Sequence, residues 1–225
     1  MKAIAVGIAL ALVAGTAQAT ENTLTAAERA AGWMLLFDGT STKGWRGFKT
    51  PEPDPGWTAK GELSPDPKTS KDLMTRDTFE NFDLTFEWKI GPKGNSGVMF
   101  HVTEAGGQTY ESGPEYQVLD NSRGEPPLEQ AGGLFALYAP GGAVTKPVGE
   151  YNTGRILVDH GKVEHWLNGV KVAACDMNAA DFKARVAASK FARWPTFAAS
   201  PSGHIALQNH GDPVAFRNLK IRRLP

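Results

Sequence analysis

The sequence contains one cysteine, Cys175, in 225 residues. A lone thiol cannot close an intramolecular disulfide, so packing alone must hold the fold. Cys175 lies in the strand-like VKVAACD and reads as a small buried residue. No apolar run reaches the roughly 20 residues of a helical membrane span, which argues against membrane insertion. An excess of either charge is also missing, with 24 Lys and Arg against 24 Asp and Glu. That balance argues against a nucleic-acid or anionic-membrane partner. There is no βαβ alternation, which disfavours a parallel sheet. Neither the G-x-G-x-x-G dinucleotide fingerprint nor the G-x-S-x-G nucleophile elbow occurs, and no organic cofactor is implied. H-x-x-H and H-E-x-x-H spacings are absent as well, so no zinc motif stands out.

The N-terminus has a basic Lys2, an apolar stretch from Ala3 to about Gly15, and the small-residue pattern Ala17-Gln18-Ala19. This predicts a secretory signal peptide over residues 1–19, cleaved after Ala19. The expected location is the periplasm or the exterior. The remaining residues, 20–225, are one domain's worth of chain and long enough for a substantial core.

The chain is rich in short alternating runs punctuated by Gly, Pro, Asn and Asp. NFDLTFEWKI places Phe82, Leu84, Phe86 and Trp88 on one face and Asp83, Thr85 and Glu87 on the other. NSGVMFHV, PEYQVLD, GRILVDH, KVEHWLNGVKVAA, GHIALQNHG and VAFRNLKIRRL read as further strands. His160-Gly161 and Asn168-Gly169 read as hairpin turns. The Asn95-Ser96-Gly97 triplet reads as a turn or bulge giving close access to one face. Ser122 to Gly149 is Gly/Pro-rich and reads as an ordered loop. Thr20 to Gly32 carries a weak helical pattern. Ala179 to Phe191 has Phe182, Val186 and Phe191 at helical spacing and predicts one surface helix, with Asn178 as N-cap. The fold class is therefore all-β, an antiparallel β-sandwich with one short helix.

Three of these strands carry polar side chains at one parity and mostly apolar ones at the other. On the polar parity lie His101, Glu115, Gln117, Gln208 and His210. A sheet face that serves stability alone has little use for imidazole, carboxylate and amide together. This set is the candidate site. Two histidines and a glutamate on adjacent strands could ligate a divalent cation, or supply a general base and acid. Asn152 and His165 are further polar candidates, and a tryptophan at the rim would suit stacking on a pyranose. The pattern E-x-Q-x-x-D at Glu115 differs from the two-carboxylate motif of laminarinase-type enzymes at its centre and its end.

Seven segments occur in a telling order: LFDGTSTKGW, NFDLTFEWKI, GNSGVMFHV, GPEYQVLDN, GEYNTGRILV, VEHWLNGVKV and GHIALQNHG-x-x-VAFRNLKIR. Together they resemble the 3-keto-disaccharide hydrolase domain family, over roughly Gly32 to Leu224. The resemblance implies a concanavalin-like (jelly-roll) sandwich. It also implies an exported enzyme that cleaves glycosides oxidised to a ketone at carbon 3, with a divalent cation in some members. Glu115, His101 and His210 carry over as catalytic residues and as the cation's ligands. Gln117, Gln208, Asn152 and His165 are assigned to substrate. The usual L-Q-D-H-G reads L-Q-N-H-G here, with Asn209 pointing away from the polar face by parity. The usual G-E-W-N reads G-E-Y-N, with Tyr151.

The implied chemistry is proton abstraction at carbon 2, elimination of the glycosidic oxygen, and addition of water. His101 or His210 would be the base, and Glu115 the acid or a ligand. Such a substrate requires a sugar oxidoreductase upstream. Two other classes stand beside this reading. One is a carbohydrate-binding module without catalysis. The other is an ordinary two-carboxylate glycosidase, whose second carboxylate would be Asp120, Glu111 or Glu150.

Overall fold

The computed structural model describes residues 21–142 and 144–225, so the expected signal peptide lies outside the described residues. Thirteen strands are found there: β1 (Trp33–Leu35), β2 (Trp45–Gly47), β3 (Thr58–Ala59), β4 (Leu63–Ser64), β5 (Leu73–Thr75), β6 (Phe82–Ile90), β7 (Asn95–Val102), β8 (Glu115–Leu119), β9 (Asn152–Asp159), β10 (Lys162–Leu167), β11 (Val170–Asp176), β12 (His204–Leu207) and β13 (Val214–Arg223). They form two antiparallel sheets. The eight-stranded sheet runs β11-β10-β9-β6-β13-β4-β3, with β1 also paired to β13. The five-stranded sheet runs β2-β5-β12-β7-β8.

Period-two patterning explains how the sheets stack. On β6, Phe82, Leu84, Phe86 and Trp88 are all buried and face the second sheet. That sheet answers with Val98 and Phe100 from β7, Tyr116 and Val118 from β8, and Ile205 and Leu207 from β12, all in the same core. Two inner faces interdigitating in this way make a sandwich. A smaller apolar cluster of Met74, Met99, Val102 and Ala206 lies on the outer side of the five-stranded sheet, under Phe48. Cys175 is half-buried and packs against the main core.

Both expected hairpin turns are present. His160 and Gly161 have φ of 49° and 83°, and Asn168 and Gly169 have 50° and 83°. Two successive left-handed residues match the twist of the flanking strands, which is why such pairs connect two-residue hairpins. The Asn95-Ser96-Gly97 triplet is neither turn nor bulge. Its residues pair in regular register with Leu119, Val118 and Gln117. The Gly/Pro-rich stretch lies along the free edge of β8. Gly132 donates to the Gln117 carbonyl, Gln117 to that of Gly133, and Phe135 to that of Glu115.

Two helices occur among the described residues, α1 (Ala26–Ala30) and α2 (Ala180–Ala188). The first is closed by a Thr25/Glu28 capping box. The second buries Phe182 and stops at Ser189, whose hydroxyl accepts from the Phe191 amide and opens a 3-10 turn over Lys190–Arg193. Asn178 is not the cap of α2. Its amide instead donates to the His160 carbonyl at 3.1 Å, tying the helix approach to the β9–β10 hairpin, and the cap position falls to Ala179.

Candidate active site

The polar face survives in part, and its centre is Glu115. The side chain leaves β8 on the outer side of the five-stranded sheet, opposite Met99. Its carboxylate leans over β7 at Gly97, where a Cβ would come within 2.1 Å of Glu115 Oε1. Only a glycine on β7 leaves room for it. Among the described residues no protein group donates a hydrogen bond to this carboxylate. Burial pushes it up to about 8; Lys190 opposes that rise, while Asp72 and Glu129 add to it. A carboxyl at this value is mostly protonated at neutral pH.

Glu115 opens into a pocket of about 410 Å³ that Gln208 and His210 also line. Both stand beyond the end of β12, which stops at Leu207. Gln208 nevertheless extends the ladder, donating its amide to the Gly97 carbonyl at 2.9 Å. Its Oε1, like Oδ1 of the pocket residue Asn95, is buried without a partner among the described residues. Two unpaired amide acceptors in a pocket wall suit sugar hydroxyls. Tyr110 and Trp194 form the rim, with ring centroids 5.5 Å apart. Trp45, Trp57 and Trp88 are buried in the core, Trp33 and Trp166 do not line this pocket, and Trp194 is the tryptophan placed for stacking.

His101 does not belong to this face. Between His204 and Ala206 the β7–β12 register slips, so that Phe100 and His101 together oppose Ile205. His101 takes φ of 52°, a left-handed conformation unusual for a bulky residue. The bulge rotates the imidazole inward, against Phe82 and Phe100, and Val102 takes the outer position instead. The Nε2 hydrogen is donated to the Glu80 carbonyl at 2.8 Å. His101 lines a separate pocket of about 480 Å³ together with His160 and Asn178.

The remaining sequence-predicted residues also lie elsewhere. Gln117 keeps the parity of Glu115, yet the edge loop covers it and its amide donates to the Glu129 carbonyl at 3.0 Å. His165 is sealed between the sheets beside Tyr116, a residue on the opposite side of β8 from Glu115. Burial lowers its imidazole to about 4. Val163 and Leu167, buried at the same parity, were the signal that its face is core. Asn152 is buried as a loop brace, its Oδ1 accepting from the Lys146 amide and from Asn168. Tyr151 lies against Glu62 and Arg217, on the eight-stranded sheet side.

Asn209 turns from the pocket, as parity predicted. Its amide nitrogen reaches the Ser70 carbonyl at 2.7 Å and those of Asp66 and Pro67 more loosely. Its backbone N–H donates to Asp72 Oδ1 at 3.0 Å. Asp72 was not legible in the sequence, because it sits before β5 in no pattern of its own. It acts electrostatically on Glu115, and burial raises its own carboxyl. Both Asp72 oxygens are engaged, one by Asn209 and the other by the Thr109 hydroxyl. The anticipated second carboxylates serve loops instead. Asp120 accepts from Lys93 and Ser122, and Glu111 from the Gly107 amide. Neither lines the pocket, and Glu150 does not either.

The expected cation set of His101, Glu115 and His210 is therefore divided. Glu115 and His210 share a pocket while the bulge removes His101. Among the described residues, no three His, Cys, Asp or Glu side chains gather as a ligand group. Glu115 and His210, beside the cationic Lys190, are one short of the three His, Cys or carboxylate ligands usual for zinc.

Comparison with known proteins agrees with this architecture. The model of the 3-keto-alpha-glucoside-1,2-lyase-like domain matches residues 32–222. The 3-keto-disaccharide hydrolase of Bacteroides thetaiotaomicron is 29% identical over an alignment covering 86% of this chain and 79% of that protein. A crystal structure from Parabacteroides distasonis, of a protein described as a glycosyl hydrolase, superposes with a TM-score of 0.85 at 32% identity, covering 92% of this chain and all of the other. A second from the same organism gives a TM-score of 0.65 at 26% identity, over 85% of this chain and 99% of the other.

Proposed function

Because the chain belongs to the 3-keto-alpha-glucoside-1,2-lyase-like family, we propose that it cleaves glycosidic bonds of sugars carrying a ketone at carbon 3. The observation that carries this reading is the Glu115 carboxyl. It is buried, free of hydrogen bonds from the described residues and raised to about 8, in one pocket with His210. Such a group holds a proton at neutral pH and can deliver it to a leaving oxygen.

The ketone acidifies the hydrogen on carbon 2. The His210 imidazole takes that proton, and the C–H pair becomes a C2=C3 double bond as the carbonyl pair moves onto the carbon-3 oxygen. The pair then returns, the C1–O bond breaks, and the departing oxygen takes the Glu115 proton. This leaves an enone. Water adds at carbon 1 and carbon 2 regains a proton, so the net change is hydrolysis. Asn95 and Gln208 accept hydroxyls of the ring, and Trp194 and Tyr110 offer it an apolar wall.

Glu115 and His210, with the amide oxygens of Asn95 and Gln208, could contact a divalent cation, but no step above is routed through one. The carbohydrate-binding alternative gains nothing from a buried, protonated carboxyl. The two-carboxylate alternative lacks a second free carboxylate, since Asp72 is committed on both oxygens. Export to the periplasm or exterior, with an upstream sugar oxidoreductase supplying the ketone, completes the proposal.

The test is incubation with methyl 3-keto-glucoside beside unoxidised methyl glucoside, with and without a chelator. Methanol from the keto sugar alone is the expected result. Release from both would favour an ordinary glycosidase, and release from neither would favour a binding module.

A further inference from the structure

The elimination needs a partner for the negative charge that collects on the carbon-3 oxygen, and of the two cations that line the pocket, Lys190 and Arg193, Lys190 is the one that acts electrostatically on Glu115, while Arg193 lies over the Trp194 ring at the rim. Lys190 begins the 3-10 turn that follows α2. It lines the same pocket as Glu115, His210 and Gln208. Its ammonium sits over the Phe135 ring, 4.1 Å from the centroid, and 5.6 Å from that of Phe191. Among the described residues it makes no ion pair and no hydrogen bond. A lysine at a protein surface usually finds water or a carboxylate. This one is seated on aromatic faces, which fix its position and leave all three N–H donors unspent.

We infer that Lys190 is a catalytic residue whose ammonium receives the carbon-3 oxygen of the keto sugar and holds it as the enolate forms. Phe135 is the seat that aims it. The charges around it agree with the role. Glu115 is the one acidic residue among those lining the pocket, Lys190 acts on it electrostatically, and as a protonated acid it does not quench the ammonium. The site then divides the labour among three side chains: His210 removes the proton, Lys190 takes the charge, and Glu115 protonates the leaving oxygen. A fixed cation aimed at developing negative charge contributes most where water is excluded. The arrangement also explains selectivity. An unoxidised sugar offers a hydroxyl at carbon 3, which never develops the charge that Lys190 stabilises.

This inference rests on the elimination reading, and the experiment separates the two. Wild-type, Lys190→Met and Lys190→Arg proteins are compared on methyl 3-keto-glucoside. Methanol release and exchange of the carbon-2 hydrogen with deuterated water are followed together. Lys190→Met is expected to lower kcat by about 100-fold or more and to slow carbon-2 exchange in parallel, with KM changed by less than about 3-fold. Lys190→Arg, which keeps the charge, is expected to retain a measurable part of both rates. A wild-type exchange rate in Lys190→Met overturns the inference while leaving the elimination reading intact. A wild-type protein that neither exchanges the hydrogen nor releases methanol overturns both. Should the Met variant fold poorly by thermal melt, Lys190→Gln, which keeps a polar end at similar length, takes its place under the same two readouts.

Discussion

The Glu115 carboxylate rests on the backbone of Gly97, across the β7–β8 pair. A Cβ at Gly97 would lie 2.1 Å from one carboxylate oxygen and 2.7 Å from the carboxyl carbon. The pairing there is regular, so the glycine is needed for clearance and not for an unusual backbone.

Gly97→Ala should therefore displace the carboxyl without disturbing the ladder. The expected outcome is a fall in kcat/KM of about 100-fold, consistent with a misplaced catalytic group. Shortening the acid in Gly97→Ala/Glu115→Asp relieves the closest contact, at Oε1, and leaves the one at Cγ. The loss in the double variant should be smaller than the product of the two single losses, as a double-mutant cycle would show.

Glu115→Gln should separate stability from activity. The folded-state value of about 8 lies above the ordinary carboxyl value of 4.5. Between those two values the folded protein holds a proton that the unfolded chain has released, so wild-type stability declines as pH rises through the window. The glutamine variant escapes that decline. Its melting temperature should exceed the wild-type value by a margin that widens from pH 5 to pH 8. Turnover should fall by about 100-fold or more. In the wild type, kcat should drop on the alkaline side near pH 8.

His165 gives the opposite dependence. Burial lowers its imidazole to about 4 from 6.5, so between those values the unfolded chain binds the extra proton. Stability from this residue is complete above pH 6.5 and is lost as pH falls toward 4, by at most about 3 kcal/mol. His165→Gln keeps an N–H for the Gly132 carbonyl and removes the titration. Denaturation curves at pH 7 and pH 4.5 should lie closer together for the variant than for the wild type.

Asn209→Asp would replace a donor by a carboxylate facing the carbonyls of Asp66, Pro67 and Ser70. A cost of about 1–3 kcal/mol is expected in urea unfolding. The Asn209 backbone N–H, which orients Asp72, survives the change.

What could be read in the sequence was local. The alternation of Phe82, Leu84, Phe86 and Trp88 needs only the two-residue strand period, and it placed that face correctly. His160-Gly161 and Asn168-Gly169 declare their turns by residues that tolerate positive φ. Glu115 and Gln208 were legible because β8 and the extension of β12 keep simple parity. His101 was not, because its bulge is a property of the register between β7 and β12, and nothing in NSGVMFHV says where that register slips. Asp72, Lys190 and Trp194 arrive from connecting segments with no periodicity, and only tertiary packing brings them to Glu115. A basic and aromatic run, Lys190-Phe191-Ala192-Arg193-Trp194, was the one available sign, and helical spacing absorbed its phenylalanine.

β8 is the last strand of its sheet, and the segment Gly132–Phe135 occupies its outer hydrogen-bonding groups at Glu115 and Gln117. An uncovered edge rich in apolar residues invites a strand from another molecule, the first step toward fibrils and precipitates. The edge loop forecloses that route, so the strand bearing the acid can stay buried and hydrophobic without inviting a neighbour. Deleting the loop would therefore show itself first as loss of solubility, before any assay of the sugar could be run.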